Sequence, residues 1–197
     1  MTHWQNTALV YVKTSQLEQG LFMLYHFQFE LSDIDRSIYK SLDFRIALHP
    51  SETLTYLITR ALAYALSYTE NLEFSPGGLH DPEAPALRAF AQHGSLELWI
   101  EVGSPSVRKL HKATKIAKQV IIFTYKNADI LIQEIKAHGV HRQDELIIFA
   151  MEPHFLQLLE NEISKNNRWN ILHQQGQLDI DTGNKQFSSL IINKQLT

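Results

Sequence analysis

Four acidic residues stand at positions where a folded chain could bring them together. Glu101 lies at the C-terminal end of the segment SLELWIEV, residues 95–102, close to the turn at 103–105. Asp81 and Glu83 lie in a segment rich in proline and glycine, and Glu52 is predicted to lie in the first turn of a helix. Mg²⁺ takes oxygen ligands and keeps several waters. The sequence therefore predicts an acidic magnesium site, with Asp81, Glu83 and Glu101 as the candidate metal ligands.

A run of cations follows Glu101, without an acid between its members: Arg108, Lys109, Lys112, Lys115 and Lys118. On a helix, Arg108, Lys112 and Lys115 share one face, and small or apolar residues take the other. A metal-assisted phosphodiesterase needs such a basic face, because the metal activates water while a lysine stabilises the developing charge. We expect Arg108, Lys109, Lys112 and Lys115 to contact nucleic acid.

Each candidate also has an ordinary structural interpretation. Glu101 could be a solvated glutamate at a strand end, and Asp81 and Glu83 could be polar loop residues. Glu52 could complement the helix dipole, a contribution of about 0.3–1 kcal/mol. The cations could form a solvated helix face. The sequence leaves both interpretations open.

Several common catalytic patterns are absent from the sequence. It contains no GxxxxGK(S/T) phosphate loop, GxGxxG, HExxH or GxSxG. There is no cysteine, which excludes disulfides, thiolate zinc sites and cysteine nucleophiles. His138 and His141 form an HxxH pair after a predicted helix, and we interpret them as exposed histidines.

The first half of the chain predicts a hairpin followed by a helix. Residues 21–31 and 38–48 predict paired strands, and the second alternates apolar and polar residues. The intervening SDIDRS supplies turn residues. Beyond Pro50, an apolar stripe from Leu54 to Leu66 at helical spacing predicts a helix, and residues 75–85 predict a loop.

The second half predicts alternating elements. Strands are expected near 95–102, 119–125 and 145–150, with helices near 106–118, 128–138 and 154–165. Apolar strands separated by helices favour a largely parallel sheet covered on both faces. A terminal hairpin is expected near 169–173 and 186–192, and the first hairpin either extends the sheet or forms a second one. The predicted fold class is α/β, a mixed sheet flanked by helices with an extra hairpin at each end.

Composition limits the function classes. The net charge of −3 and a pI near 6.4 exclude a uniformly basic surface, so contact with nucleic acid needs a local patch. No apolar run approaches the roughly 20 residues that span a bilayer, and the N-terminal segment lacks a signal-peptide pattern. We expect one domain over residues 1–197, located in the cytoplasm and not in a membrane.

Short stretches spread over about residues 21–126 resemble the bacterial YaeQ family, in the family's order. They are DIDR at 33–36, HPSET at 49–53, Leu72 and Phe74, GGL at 77–79, LWIEVGSP at 98–105, KLHKA at 109–113 and TY at 124–125. HPSET and WIE-x-G-x-P are the most specific of these. The resemblance implies a fold like that of restriction endonucleases, the PD-(D/E)xK nuclease superfamily, whose core is a mixed sheet flanked by helices.

The resemblance also implies roles for individual acids. The superfamily's helical acid falls on Glu52, its loop acid on Glu83 or Asp81, and its strand acid on Glu101. Glu83 and Glu101 would then hold a magnesium ion, with Glu52 assisting through water.

The chain departs from the superfamily pattern at two positions. Gly103 stands where the strand lysine is expected, and some members place that lysine on the following helix. Lys112 is the natural substitute here, with Lys109 second. Ala84 replaces a further loop acid of the family.

Two functions remain open at this point. One is a magnesium-dependent nuclease or phosphodiesterase with a degenerate site, whose catalytic residues would be Glu52, Glu83, Glu101 and Lys112. The other is a module without turnover that recognises nucleic acid or a protein partner through the basic helix. A site for a small phosphorylated ligand is a third, narrower reading.

Overall fold

Two mixed β-sheets and four α-helices make up residues 23–75 and 81–196, the part of the chain that the computed structural model describes. The strands are β1 (Met23–Asp33), β2 (Ile38–Leu48), β3 (Leu72–Phe74), β4 (Leu87–Phe90), β5 (Leu96–Val102), β6 (Gln119–Thr124), β7 (Ile147–Ala150), β8 (Asn166–Gln174), β9 (Gln177–Asp181), β10 (Gln186–Leu190) and β11 (Ile192–Lys194). The helices are α1 (Leu54–Leu66), α2 (Val107–Ile116), α3 (Ala128–His138) and α4 (Pro153–Glu160). The GGL stretch at 77–79 and positions 21 and 22 of the first predicted strand lie outside these residues.

The first sheet has five strands in the order β10-β9-β8-β1-β2. Its β1–β2 hairpin is antiparallel, as the sequence predicts, and Leu42, Phe44 and Ile46 are buried while the residues between them are exposed. β1 also pairs in parallel with β8. The N-terminal hairpin therefore belongs to a second sheet, which is one of the two arrangements that the sequence left open.

The second sheet has six strands in the order β11-β7-β6-β5-β4-β3. Only the central β5, β6 and β7 run parallel, because β3, β4 and β11 join antiparallel at the two sides. The prediction of a largely parallel sheet was therefore wrong, while the mixed α/β class is confirmed. The short β3 and β4 flank the proline- and glycine-rich segment, where a strand of three or four residues leaves little periodic signal.

The predicted C-terminal hairpin is wrong in its pairing. β9 lies between β8 and β10 and pairs with both of them. Gln175 and Gly176, both with positive φ, make the two-residue turn into β9. The sequence prediction missed β9 because only Leu178 and Ile180 in it are apolar, which is a weak alternating signal.

Alternation along the central strands separates two hydrophobic cores. Leu98, Ile100 and Val102 of β5 join the core that contains α1, α4 and the five-stranded sheet. Trp99, on the opposite face, joins the core that contains α2 and α3. Helices thus cover both faces of the six-stranded sheet. Among the helices of residues 23–75 and 81–196, none combines the length and apolar character needed to cross a lipid bilayer.

Candidate functional site

Glu101 is buried at the carboxyl end of β5, with 4% of its surface exposed. The Lys109 ammonium lies 2.8 Å from Oε1 and donates to Oε2 at 2.9 Å. The indole Nε1 of Trp99, two residues back on the same strand face, donates to Oε1 at 2.7 Å. Burial raises the pKa of the Glu101 carboxyl above its usual value, although the charge of Lys109 and both hydrogen bonds oppose the rise.

The turn after β5 decides which lysine reaches Glu101. Gly103 has φ +87°, a left-handed conformation that suits glycine, and its N–H donates to the Phe123 carbonyl at 2.9 Å. Ser106 then caps α2 by accepting from the Lys109 N–H. Lys109 therefore lies in the first turn of α2 and folds back over the strand end.

Glu83 lies at the exposed rim of this region. One of its carboxylate oxygens accepts from Arg108, and the other lies 3.5 Å from the Lys112 ammonium. Asp81, in the same segment, accepts from the Glu83 N–H through Oδ1 at 3.0 Å. Glu83 therefore meets the basic helix through Arg108 and Lys112 rather than through Lys109.

Glu52 is not in the first turn of α1, so that prediction and the helix-dipole interpretation were wrong. The helix begins at Leu54 with Thr53 as its cap, and its first turn contains no acid. Glu52 is instead buried against Arg60, with 3.3 Å between Oε1 and Nη1, and it accepts from the His49 N–H at 2.9 Å. The ion pair thus links the residue before the N-cap of α1 to Arg60, which lies two turns further along the same helix.

Tyr56 lies beside this pair. The Arg60 guanidinium carbon is 5.3 Å from the centre of the Tyr56 ring. Burial raises the pKa of the Tyr56 hydroxyl to about 12, and the nearby charges of Glu52 and Glu101 add to the rise while Arg60 opposes it. The hydroxyl therefore stays protonated at neutral pH and can donate a hydrogen bond.

A cleft of about 70 Å³ lies between these groups and the proline-rich segment. Tyr56, Arg60 and Lys109 line one side, and residues of the segment 81–86, including Asp81, line the other. Lys109 also pairs with Glu101, which does not itself line the cleft. The cleft is thus bordered by polar groups from α1, α2 and the loop before β4.

The predicted candidates are only partly brought together. Within residues 23–75 and 81–196, no three histidine or acidic side chains lie close enough to hold a metal ion. Each predicted catalytic acid pairs with its own cation: Glu52 with Arg60, Glu83 with Arg108 and Lys112, and Glu101 with Lys109. The lysine against Glu101 is Lys109, the second choice from the sequence, and not Lys112.

The chemistry of the donors still suits magnesium. Mg²⁺ commonly takes one or two carboxylates from the protein and completes its shell with water and substrate phosphate. Asp81 lines the cleft, whereas Glu101 pairs with Lys109 and Trp99 and does not line it. A magnesium site with ligands among Asp81, Glu83 and Glu101 therefore stays a prediction.

A family model for YaeQ protein matches residues 22–190. This chain belongs to the YaeQ family. The uncharacterized protein YaeQ of Escherichia coli K12 is 35% identical over 105 residues, which cover 53% of this chain and 57% of that protein. The Salmonella typhi relative is 33% identical over 97 residues, covering 49% of this chain and 53% of that protein. The matches thus span about half the length of the curated relatives.

Solved structures of YaeQ proteins share the fold. The Pseudomonas syringae protein has a TM-score of 0.78 and 28% identity, and the match covers 89% of this chain and 96% of that chain. The Xanthomonas axonopodis pv. citri protein has a TM-score of 0.82 and 24% identity, with 88% and 98% covered. At 24% identity, the similarity to the Xanthomonas protein supports a shared fold only. None of these names states an activity.

Three of the stretches that resemble YaeQ converge in space. HPSET supplies Glu52 and Thr53, and WIEVGSP supplies Glu101. The TY stretch supplies Tyr125, whose hydroxyl is hydrogen-bonded to the Thr53 side chain. Burial raises the pKa of the Tyr125 hydroxyl, and the charges of Glu160 and Glu52 add to the effect. The start of α1 is thereby fixed against the ends of β5 and β6.

Sequence reasoning missed Tyr56 and Arg60. A signal was present, because Arg60 is a lone cation in an otherwise apolar helix and is 6% exposed. A charge buried on such a helix needs a partner, and Glu52 lies two turns before it. His138 and His141 lie elsewhere: His138 contacts the Glu134 carbonyl, and the His141 N–H contacts the His111 ring.

Proposed function

We propose that this YaeQ-family chain is a magnesium-dependent phosphodiesterase acting on nucleic acid, built on a core like that of the PD-(D/E)xK nucleases. The observation that carries the proposal is the buried Glu101–Lys109 pair at the carboxyl end of β5, beside a cleft that Asp81 lines. Ligands of α/β sheets bind where strands end in this way. A buried carboxylate with a raised pKa beside a lysine is a frequent feature of active sites.

The scaffold supports the proposal. A mixed sheet has helices on both faces, and acids come from the start of a helix, a loop and a strand end. That is the arrangement which the resemblance to restriction endonucleases implies. Fold analogy alone does not establish a reaction, so the proposal depends on the site.

The residues divide the chemistry between them. Glu101 and Asp81 would hold the Mg²⁺, which when bound supplies an activated water and neutralises phosphate charge. Lys109 places a positive charge in the cleft wall, where it stabilises the charge that develops on a phosphate oxygen. In hydrolysis the water oxygen bonds to phosphorus, the bond to the leaving oxygen breaks, and that oxygen gains a proton.

The rim of the cleft suits the nucleic-acid backbone. The Arg108 side chain is 78% exposed and that of Lys112 is 46% exposed, and both are held by Glu83. Exposed ion pairs of this kind are weak, so both cations can exchange Glu83 for a phosphate. Lys115, one turn further along α2, extends this basic surface. In this role Glu83 keeps the rim cations in position.

Cleavage assays test the proposal directly. Purified protein is incubated with single- and double-stranded DNA and RNA in Mg²⁺ or Mn²⁺. We expect cleavage that Glu101→Gln and Asp81→Asn each reduce at least about 100-fold, the scale of losing one group that stabilises a transition state. Lys118→Gln, which removes an exposed cation that lies just beyond the C-terminal end of α2 and pairs with Glu97, is the control that keeps activity. Cleavage unchanged by Glu101→Gln would reject the assignment.

One observation favours a second function, binding without turnover. Every predicted catalytic acid is already neutralised by a cation of the same chain. Under this reading calorimetry detects no Mg²⁺ or Mn²⁺ binding, whereas the enzyme reading requires binding that Glu101→Gln removes. Nucleic-acid binding that weakens with salt, without cleavage, would favour the module.

A further inference from the structure

Of the four strands that form sheet edges in the described part of the chain, β2 is the longest. It has 11 residues, whereas β10 has five and β3 and β11 have three each. Among residues 23–75 and 81–196 it pairs with β1 alone, in an unbroken register, and it contains no proline or glycine. Native sheets often shorten, bulge or interrupt an exposed edge, because its unpaired backbone groups can pair with another strand. β2 is neither short, bulged nor interrupted.

Two hydrogen bonds show which backbone groups of β2 point away from β1. The Ala47 carbonyl accepts from the Arg60 guanidinium at 2.8 Å and therefore faces the open edge. At the other end of the hairpin, the Ile34 N–H donates to the His173 carbonyl of β8, which turns the backbone of the preceding residue in β1 toward β2. Because these directions alternate along a strand, every second residue before Ala47 also faces the edge: Tyr39, Ser41, Asp43 and Arg45.

The open stretch of this edge runs from Tyr39 to Arg45. Within residues 23–75 and 81–196, no hydrogen bond reaches the outward N–H and C=O groups of this stretch. Its C-terminal limit is the Ala47 carbonyl, which Arg60 occupies. Its N-terminal limit is the turn at Ser37, where φ is positive. The stretch is therefore long enough to pair with a strand from outside the chain, and it is symmetric in sequence position about Leu42.

We infer that β2 pairs antiparallel with β2 of a second copy of this chain, about a twofold axis at Leu42. The two five-stranded sheets then form one continuous sheet, and the same surface is used on both copies, as in the most common type of homodimer. This inference does not depend on the proposed function, because it requires only the edge of β2.

The position of the axis follows from the limits of the open stretch. A twofold axis that passes through a residue keeps the core faces of both copies on the same side of the sheet. With the axis at Leu42, Ser41 pairs with Asp43 of the second copy, and Tyr39 pairs with Arg45 of the second copy. Every outward N–H and C=O group of the stretch then gains a partner.

Neighbouring positions of the axis are less favourable. An axis at Phe44 requires the Ala47 carbonyl, which already accepts from Arg60. An axis at Asp43 or at Arg45 places that charged residue directly opposite its own copy, and like charges opposite each other destabilise a strand pair. The axis at Leu42 avoids both problems.

The side chains along the edge fit this register. Tyr39 and Arg45 are both exposed, and the Arg45 guanidinium of one copy can lie over the Tyr39 ring of the other. On the opposite face the exposed Lys40 lies across from Phe44 of the second copy. The methylene stem of Lys40 can cover that ring while its ammonium group stays in water.

Analytical ultracentrifugation of the full chain tests for the dimer. We expect the average mass to rise from one chain toward two as the protein concentration increases from micromolar to millimolar. Ser41→Pro removes an outward N–H from each copy, at an edge position where proline is tolerated, and should weaken dimerisation at least about tenfold. Ser41→Ala loses the hydroxyl contact with Glu30 but keeps the N–H, and should dimerise like wild type.

Disulfide cross-linking tests the register. The chain contains no cysteine, so introduced thiols react without background. Ser41→Cys mixed with Asp43→Cys should form an intermolecular disulfide on oxidation, because directly paired Cα atoms lie about 5.5 Å apart. Asp43→Cys mixed with Arg45→Cys is the matched control. Those positions would be offset by four residues along the strand, roughly 13 Å, and should cross-link far less.

A monomer at every concentration would overturn the inference and would leave the edge to an extended segment of a different protein. A dimer that Ser41→Pro leaves unchanged would overturn its placement at β2. Preferred cross-linking of the Asp43→Cys and Arg45→Cys mixture would overturn the axis at Leu42. If circular dichroism shows that Ser41→Pro does not fold, the two cysteine mixtures decide the question without it.

Discussion

Glu101 combines burial with an ion pair, and the two act on its pKa in opposite directions. Removal from water raises the pKa, and Lys109 with Trp99 only partly compensates. At neutral pH the carboxylate therefore remains less favourable in the fold than in the unfolded chain. Such a cost suits a group whose ionised form serves a ligand rather than stability.

The pH dependence of unfolding should reveal this cost. With a raised pKa in the fold, Glu101 contributes stability that is complete below the ordinary value of 4.5 and is lost as pH rises through the raised pKa. The free energy of unfolding of Glu101→Gln minus that of wild type should therefore increase with pH, measured by urea unfolding. A difference that is constant with pH would contradict it.

Glu97, on the same strand, provides a control of opposite sign. Its pKa is lowered, chiefly by the hydrogen bond from Lys118. The stability that Glu97 contributes is present above the ordinary pKa of 4.5 and is lost as pH falls through the lowered pKa. The free energy of unfolding of Glu97→Gln should therefore rise relative to that of wild type in acid, but not at neutral pH.

At the scale of elements, the β5–α2 turn places the lysine. Gly103 adopts φ +87°, and a Cβ there would meet only the Tyr125 hydroxyl, at 3.8 Å. Space is therefore not the constraint; the backbone conformation is. The turn brings Lys109, in the first turn of α2, to the Glu101 carboxylate.

We predict that Gly103→Ala lowers the free energy of unfolding by roughly 1–2 kcal/mol, the cost of a left-handed conformation for an L-residue. It should also shift the indole N–H resonance of Trp99, because Trp99 and Lys109 share Glu101. Gly94→Ala is a matched control: φ is again +87° and nothing lies within 4 Å of the added Cβ. Gly94→Ala should lose a similar amount of stability, and the chemical shift of the Trp99 indole N–H should not change. An unmoved resonance in Gly103→Ala would contradict the positioning role of the turn.

At the scale of the molecule, the DIDR stretch joins distant parts of the chain. Asp33 is fully buried and lies 3.0 Å from the Arg36 Nε and 3.2 Å from the His173 Nδ1. Arg36 in turn donates to the Leu66 carbonyl at the end of α1. The DIDR stretch therefore has a structural role, because its contacts hold the first hairpin against α1 and the β8–β9 turn.

We predict that Asp33→Asn lowers the free energy of unfolding by roughly 1.5–3 kcal/mol, since the buried carboxylate loses its charge-assisted contact with the partly exposed Arg36. Asp35→Asn, an exposed neighbour that accepts from the Gln175 N–H, should cost less. Thermal and urea unfolding of both variants provide the measurement. Equal losses of stability in Asp33→Asn and Asp35→Asn would contradict the prediction that Asp33 makes the more important contacts.

Local patterns in the sequence were sufficient to predict several strands and helices. The alternation of residues 38–48 predicts β2, and α3 matches residues 128–138 because Asn127 caps it and the left-handed Gly139 ends it. The strand carrying Glu101 and its apolar face were also predictable. These features depend on neighbours a few residues apart, whose spacing the sequence states directly.

Contacts between distant segments determined the ion pairs at the candidate site and the order of the strands. The pairing of Glu83 with Arg108, the choice of Lys109 over Lys112, and the insertion of β9 between β8 and β10 all depend on how elements dock. The spacing of residues along a chain does not fix the distance between side chains on different elements. A one-turn difference along α2 therefore separates the lysine at Glu101 from the lysine at the rim, and only packing of the helix on the sheet selects between them.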